Sequence, residues 1–226
     1  MPVTRRFIAL AALLAVAPVA AAAAEHRGVA TASCPDTTYV APTGLAISAS
    51  TPGVTIFLEP IHWYPVTGGT AAQIYASMEQ CRPAAIAPYT GKTNNWVNYR
   101  YTSAVNSRGQ CSVGAVAVGV QSAMALPSWT PSTNSTPELA KEWQTFIDAL
   151  YTHEGGHVDR AISGARQLYA DLTNVGPGPC STLAARTSAV FSRDNAAIEQ
   201  AQFAYDAQTD HGRTQGAVLG GTSSGG

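Results

Sequence analysis

Charge is scarce in this chain. Asp, Glu, Lys and Arg make up 12 % of the 226 residues, against roughly 25 % in an average soluble domain. With 13 basic side chains against 14 acidic ones, there is no cationic surplus to neutralise phosphates, which excludes a generally basic nucleic-acid binder. Long apolar runs are missing as well. After the first 24 residues none approaches the roughly 18 needed to span a bilayer. The four cysteines include no C-x-x-C pair, which argues against a thiolate zinc site or a thioredoxin-like redox motif. Nor does any segment repeat at a solenoid period. Aromatic residues are plentiful: 4 Trp, 9 Tyr and 5 Phe at a net charge of −1 favour a packed core over disorder.

The first 24 residues read as an export signal. Arg5 and Arg6 precede an apolar stretch from Phe7 to Val19, and Ala22-Ala23-Ala24 supplies small residues for cleavage before Glu25. The mature protein is then secreted or periplasmic, with no stable membrane insertion once the signal is gone. Cys34, Cys81, Cys111 and Cys180 meet an oxidising compartment, so two disulfides are expected. Of three connectivities, Cys34–Cys81 with Cys111–Cys180 is favoured; the second bridge would tie a strand to the loop after the main helix.

Residues 25–52, rich in Ser, Thr, Ala and Pro, read as an extended N-terminal segment. Val54–Leu58 and Ile61–Val66 have strand character, broken at Glu59-Pro60, and Thr70 can cap a short helix reaching Gln80. Trp96–Thr102 alternates, and Cys111–Val120 answers it across an Asn106-Ser107-Arg108-Gly109 turn, giving a hairpin. Leu126-Pro127 to Ser135 reads as loop. Thr136-Pro137-Glu138 then opens a helix of about 35 residues, ended by Gly176-Pro177. Another helix runs from Thr182 to about Ala207, and residues 213–226 read as a flexible Gly/Ser-rich tail. The expected fold is α+β: a small antiparallel sheet on a long helix, with a C-terminal helix added, over residues 53–212.

The long helical pattern contains His153-Glu154-Gly155-Gly156-His157, an H-E-x-x-H sequence. Residues four apart share a helix face, so two neutral imidazoles can grip one Zn²⁺, with the glutamate beside a metal-bound water as general base. Both histidines continue the stripe of Leu139, Trp143, Phe146 and Leu150, and inward-facing imidazoles need partners. A solvated polar face is the bland alternative. Gly155-Gly156 costs about 1 kcal/mol per residue against Ala in a helix interior, a sign that another segment approaches closely. A catalytic zinc needs three protein ligands and an open position. The third candidate is His211, with Asp206 or Asp210 as alternatives. Tyr205 either donates to an oxyanion or is a core tyrosine at stripe spacing. His62 reads as an ordinary strand residue.

Tyr64-Pro65-Val66-x-Gly68, Trp96-Val97-x-Tyr99-x-Tyr101, Leu126-Pro127-x-Trp129, the H-E-x-x-H element and Tyr205-Asp206-x-x-Thr209-x-His211-Gly212 together resemble a bacterial family of predicted secreted zinc-dependent proteases, over about residues 54–216. That resemblance implies a zinc peptidase-like domain acting on a peptide or protein substrate, with Zn²⁺ as cofactor, His153, His157 and His211 as ligands and Glu154 as base; with the motif, the expected α+β fold is zincin-like and residues 53–212 form a zinc metallopeptidase-like domain. Two other functions compete: a cell-wall peptide hydrolase using the same chemistry, and a non-catalytic zinc-stabilised envelope module.

Overall fold

The computed structural model describes Cys34, Tyr39 and residues 41–220. The expected export segment and residues 221–226 lie outside the described residues. Strands β1 (Gly53–Leu58) and β2 (His62–Val66) precede helix α1 (Ala71–Cys81). A hairpin follows, of β3 (Lys92–Val105) and β4 (Cys111–Trp129), and then helices α2 (Pro137–Thr173) and α3 (Leu183–Thr209). No helix among the described residues is long and apolar enough to cross a membrane.

The α+β class holds, but the sheet is mixed rather than antiparallel. β3 pairs with β4 as an antiparallel hairpin, whereas β1 and β2 both run parallel to β4. The physical reason is the hairpin: α1 leads into β3, which runs opposite to β2, and the turn after β3 brings β4 back in the direction of β2. β1 and β2 occupy one edge of β4 in succession, Leu58 opposite Ser122 and His62 opposite Ala125. The Glu59–Ile61 break therefore takes up one extra residue. β4 also continues through Leu126-Pro127, where loop was expected. β3 ends opposite Ala125, so beyond it β4 has an open edge, where a residue without an N–H is tolerated. Fully buried Leu126 holds that stretch in the core.

Helix starts follow their capping signals. Thr70 accepts from the Gln73 amide and Thr136 from the Leu139 amide, each satisfying a first-turn donor. On β4, Val116, Val118 and Val120 pack under the small residues Ala161 and Ala165 of α2. The other face of the sheet is crossed by residues 41–50: the Gly44 amide donates to Gln121, and Asn98 donates to the Leu45 carbonyl. Both expected disulfides are present, Cys34–Cys81 and Cys111–Cys180, the latter joining the start of β4 to the turn before α3. The tail reading fails for residues 213–220. Arg213–Gln215 form a short 3-10 helix, and Leu219 is buried in the core beside α1 and α2. Composition hid this because one leucine supplies the only large apolar side chain the segment buries among the described residues.

Candidate metal centre

The apolar stripe of α2 feeds two separate clusters. Leu139, Trp143, Phe146, Ile147 and Leu150 pack with Tyr64 and Leu126, while Ala161, Ala165, Leu168 and Leu172 pack with the valines of β4. His153, Glu154 and His157 fill the interval between them, each at most 9 % exposed. α3 crosses this interval and brings Asp206 to the two imidazoles. His153 Nε2 lies 3.3 Å and His157 Nε2 lies 3.1 Å from Asp206 Oδ1, and the two Nε2 atoms are 3.3 Å apart.

This triangle has the dimensions of a metal site. Ligands about 2.0–2.1 Å from a tetrahedral Zn²⁺ stand about 3.3–3.4 Å from one another. With both imidazoles in the Nδ1–H form all three atoms are acceptors, and a cation among them is what holds their lone pairs at that spacing. Burial pushes the His153 imidazole below its ordinary pKa, which favours the neutral form that ligation requires. The single carboxylate offsets one of the two charges of a divalent cation, and the two imidazole nitrogens complete a donor set of the kind zinc takes. The residues fit zinc.

The surrounding residues explain much of the local sequence. The Tyr205 ring stacks on His153 with centroids 5.0 Å apart and meets His157 edge-on. Arg160 covers the ring, its guanidinium carbon 3.4 Å from the centroid, and donates to the Gly156 carbonyl. A Cβ at Gly156 would stand 2.2 Å from the Tyr205 hydroxyl, whereas one at Gly155 would meet nothing within 4 Å. The close approach expected of the glycine pair thus belongs to Gly156 alone. Thr209 donates to the Tyr205 carbonyl at 2.7 Å, and its oxygen lies 3.3 Å from His153 Nδ1. Gly212, at φ +82°, lets the chain turn against the His153 ring, where a Cβ would come within 3.0 Å of Cγ.

β3 is tethered to the motif. Thr93 donates to the Glu154 carbonyl at 3.1 Å and Asn95 to the His157 carbonyl at 3.4 Å. A cleft of about 880 Å³ lies between this part of β3 and α3, with His153, Glu154 and His157 on its wall. Glu154 Oε2 is buried there without a hydrogen-bond partner, and burial raises its carboxyl above the ordinary range. An orphaned carboxylate oxygen beside a metal triad is poised to accept a proton from a water.

Two sequence-based assignments change. The structure gathers Asp206, one of the alternatives, with the two imidazoles and leaves His211 out of that group. His211 is 58 % exposed at its side chain, with Nδ1 3.6 Å from Asp206 Oδ1, and stands outside the triad. A left-handed turn at Asp210 and His211 carries it to the cleft beside Tyr89. Asp210 instead pairs with Arg213. Tyr205 does not line the cleft. Buried behind His153 with its hydroxyl held by Gln215 at 3.1 Å, it cannot donate to a substrate carbonyl from that position. His62 packs on Tyr39 as a strand residue.

Sequence reasoning missed two residues. Gln202 lies 2.6 Å from His157 Nδ1 and Gln215 lies 3.1 Å from His153 Nδ1, both through Oε1. Gln202 was findable, being one helical turn before Asp206 on the same face. Gln215 had no local signal, because the turn after His211 folds it back.

A family model described as a bacterial protein of unknown function (DUF922) matches residues 61–212. No curated protein and no solved structure matches the chain.

Proposed function

The chain belongs to the DUF922 family of bacterial proteins of unknown function, and from its metal centre we propose that it is an exported zinc-dependent metallopeptidase. The observation that carries this reading is the acceptor triangle of His153, His157 and Asp206, with an unpartnered Glu154 oxygen beside it. Zinc held there would supply Lewis acidity towards a carbonyl oxygen and acidify a water. Glu154 takes the proton from the attacking water and returns it to the leaving nitrogen, which its burial and its free Oε2 support. His211, at the cleft wall, is placed to donate to the carbonyl oxygen as negative charge develops on it.

The cleft favours a polypeptide over a compact amide. β3 pairs only with β4 among the described residues, so its other edge is open to an extended chain, a recognised mode of peptide binding. Thr93 and Asn95 fix that strand to the carbonyls of Glu154 and His157, bringing a paired backbone near the triad. The resemblance to predicted secreted zinc proteases points the same way. A purely structural zinc would take a fourth protein donor, and the group of candidate donors contains three.

Glu154→Gln tests the assignment. Zinc should remain bound while casein hydrolysis falls by about 10²–10⁴-fold; unchanged turnover would reject Glu154 as the base. Running purified peptidoglycan beside casein separates a general peptidase from a cell-wall peptide hydrolase.

A further inference from the structure

We infer that Gln202 and Gln215 are positioning residues that hold both imidazoles in the tautomer able to bind metal, and so set the affinity of the site; this rests on the metal-binding reading above. At His157 the hydrogen bonds themselves fix the orientation of the amide. Gln202 Nε2 donates to the His157 carbonyl at 3.0 Å, which leaves Oε1 facing His157 Nδ1 at 2.6 Å. An amide oxygen only accepts, so Nδ1 carries the proton and Nε2 presents its lone pair to Asp206. At the other imidazole, the Tyr205 hydroxyl lies 3.1 Å from Gln215 Nε2 and 3.4 Å from Oε1 and can serve either end of that amide, so Thr209 sets the tautomer and Gln215 Oε1 accepts beside it, 3.1 Å from His153 Nδ1. Thr209 donates its own proton to the Tyr205 carbonyl, so towards His153 Nδ1 its oxygen is also an acceptor. Each ring is therefore locked from behind by neutral acceptors, and both lone pairs converge on one point.

Gln215 lies beyond residues 61–212, the span that matches the family model. It reaches the site because the segment after α3 is anchored. Thr214 donates to the Thr209 carbonyl, the Leu219 amide donates to the Tyr75 hydroxyl, and the Leu219 side chain is buried in the core. Residues 213–220 thus act as a strap that delivers an amide to His153.

The test uses the full mature chain, with zinc affinity measured by chelator competition and histidine tautomers read from long-range ¹H–¹⁵N correlations of the metal-free protein. Gln215→Leu and Gln202→Leu should each weaken zinc about 10–100-fold, the usual cost of losing a partner behind a ligating histidine. They should also shift the ring facing the change away from the pure Nδ1–H form. Gln215→Glu and Gln202→Glu, which keep an acceptor, should restore both readouts. Affinities within twofold of the parent, or unaltered tautomers in the leucine variants, would overturn the inference. A parent that binds no zinc would defeat the functional reading instead, and its tautomers would still decide the positioning claim.

Discussion

Gly155 and Gly156 occupy adjacent positions of one helix, yet alanine at each should have opposite consequences. Both substitutions gain about 1 kcal/mol of helix propensity. At Gly155 nothing opposes that gain, since a Cβ there meets no atom within 4 Å. At Gly156 the new methyl would stand 2.2, 2.4 and 2.6 Å from Oη, Cζ and Cε1 of Tyr205. That ring cannot easily retreat, because it is held between the His153 face and the Arg160 guanidinium. Overpacking of this kind costs about 1–3 kcal/mol. The propensity gain is common to both, so the difference between the variants is the clash itself. At about 2–4 °C per kcal/mol for a domain of this size, Gly155→Ala should melt roughly 2–12 °C above Gly156→Ala. Gly156→Ala should also bind zinc more weakly, because Tyr205 and Asp206 are neighbours on α3 and move together. Calorimetry of both metal-free variants with a zinc titration of each is the assay. Equal melting temperatures and equal affinities would refute the packing argument.

Asp206→Ala should abolish stoichiometric zinc binding, whereas His211→Ala should retain zinc and lose turnover; dialysis against buffered zinc followed by metal analysis separates them. Replacing Cys111 and Cys180 together by serine should cost about 2–5 kcal/mol, read as a lower denaturation midpoint, since the bridge closes a 69-residue separation. Gly164→Ala should lower stability by up to about 2 kcal/mol, the 1–3 kcal/mol of overpacking less about 1 kcal/mol of helix propensity, because its Cβ would lie 2.1 Å from Ile198 Cγ1; a raised midpoint would show that the helices slide apart freely.

The parts of this molecule legible in its sequence are those set by local rules. Thr136-Pro137-Glu138 opens α2, and the stripe through Leu139, Trp143 and Leu150 points His153 and His157 inward, because a 3.6-residue period decides both. The parallel pairing of β1 and β2 with β4 was hidden because it depends on which strand of the hairpin docks against them, not on alternation within a strand. Pro127 was misleading for a similar reason: whether a missing N–H matters depends on where β3 stops. The third donor was narrowed to three residues but not resolved. His211 and Asp206 are five positions apart, and the left-handed turn at Asp210 and His211, which carries the histidine out to solvent, follows no helical rule. Gln215 was out of reach altogether, since its contact with His153 is created by a segment whose anchor, Leu219, lies in a glycine-rich stretch.

The central claim is that three acceptor atoms gathered between two hydrophobic clusters are there to hold a cation. Elemental analysis of the protein, purified without chelators, tests it most directly. The account predicts one transition metal, zinc, per chain, and its loss in the His153→Ala, His157→Ala double variant. Protein that arrives without metal and takes none up from buffered zinc would contradict it.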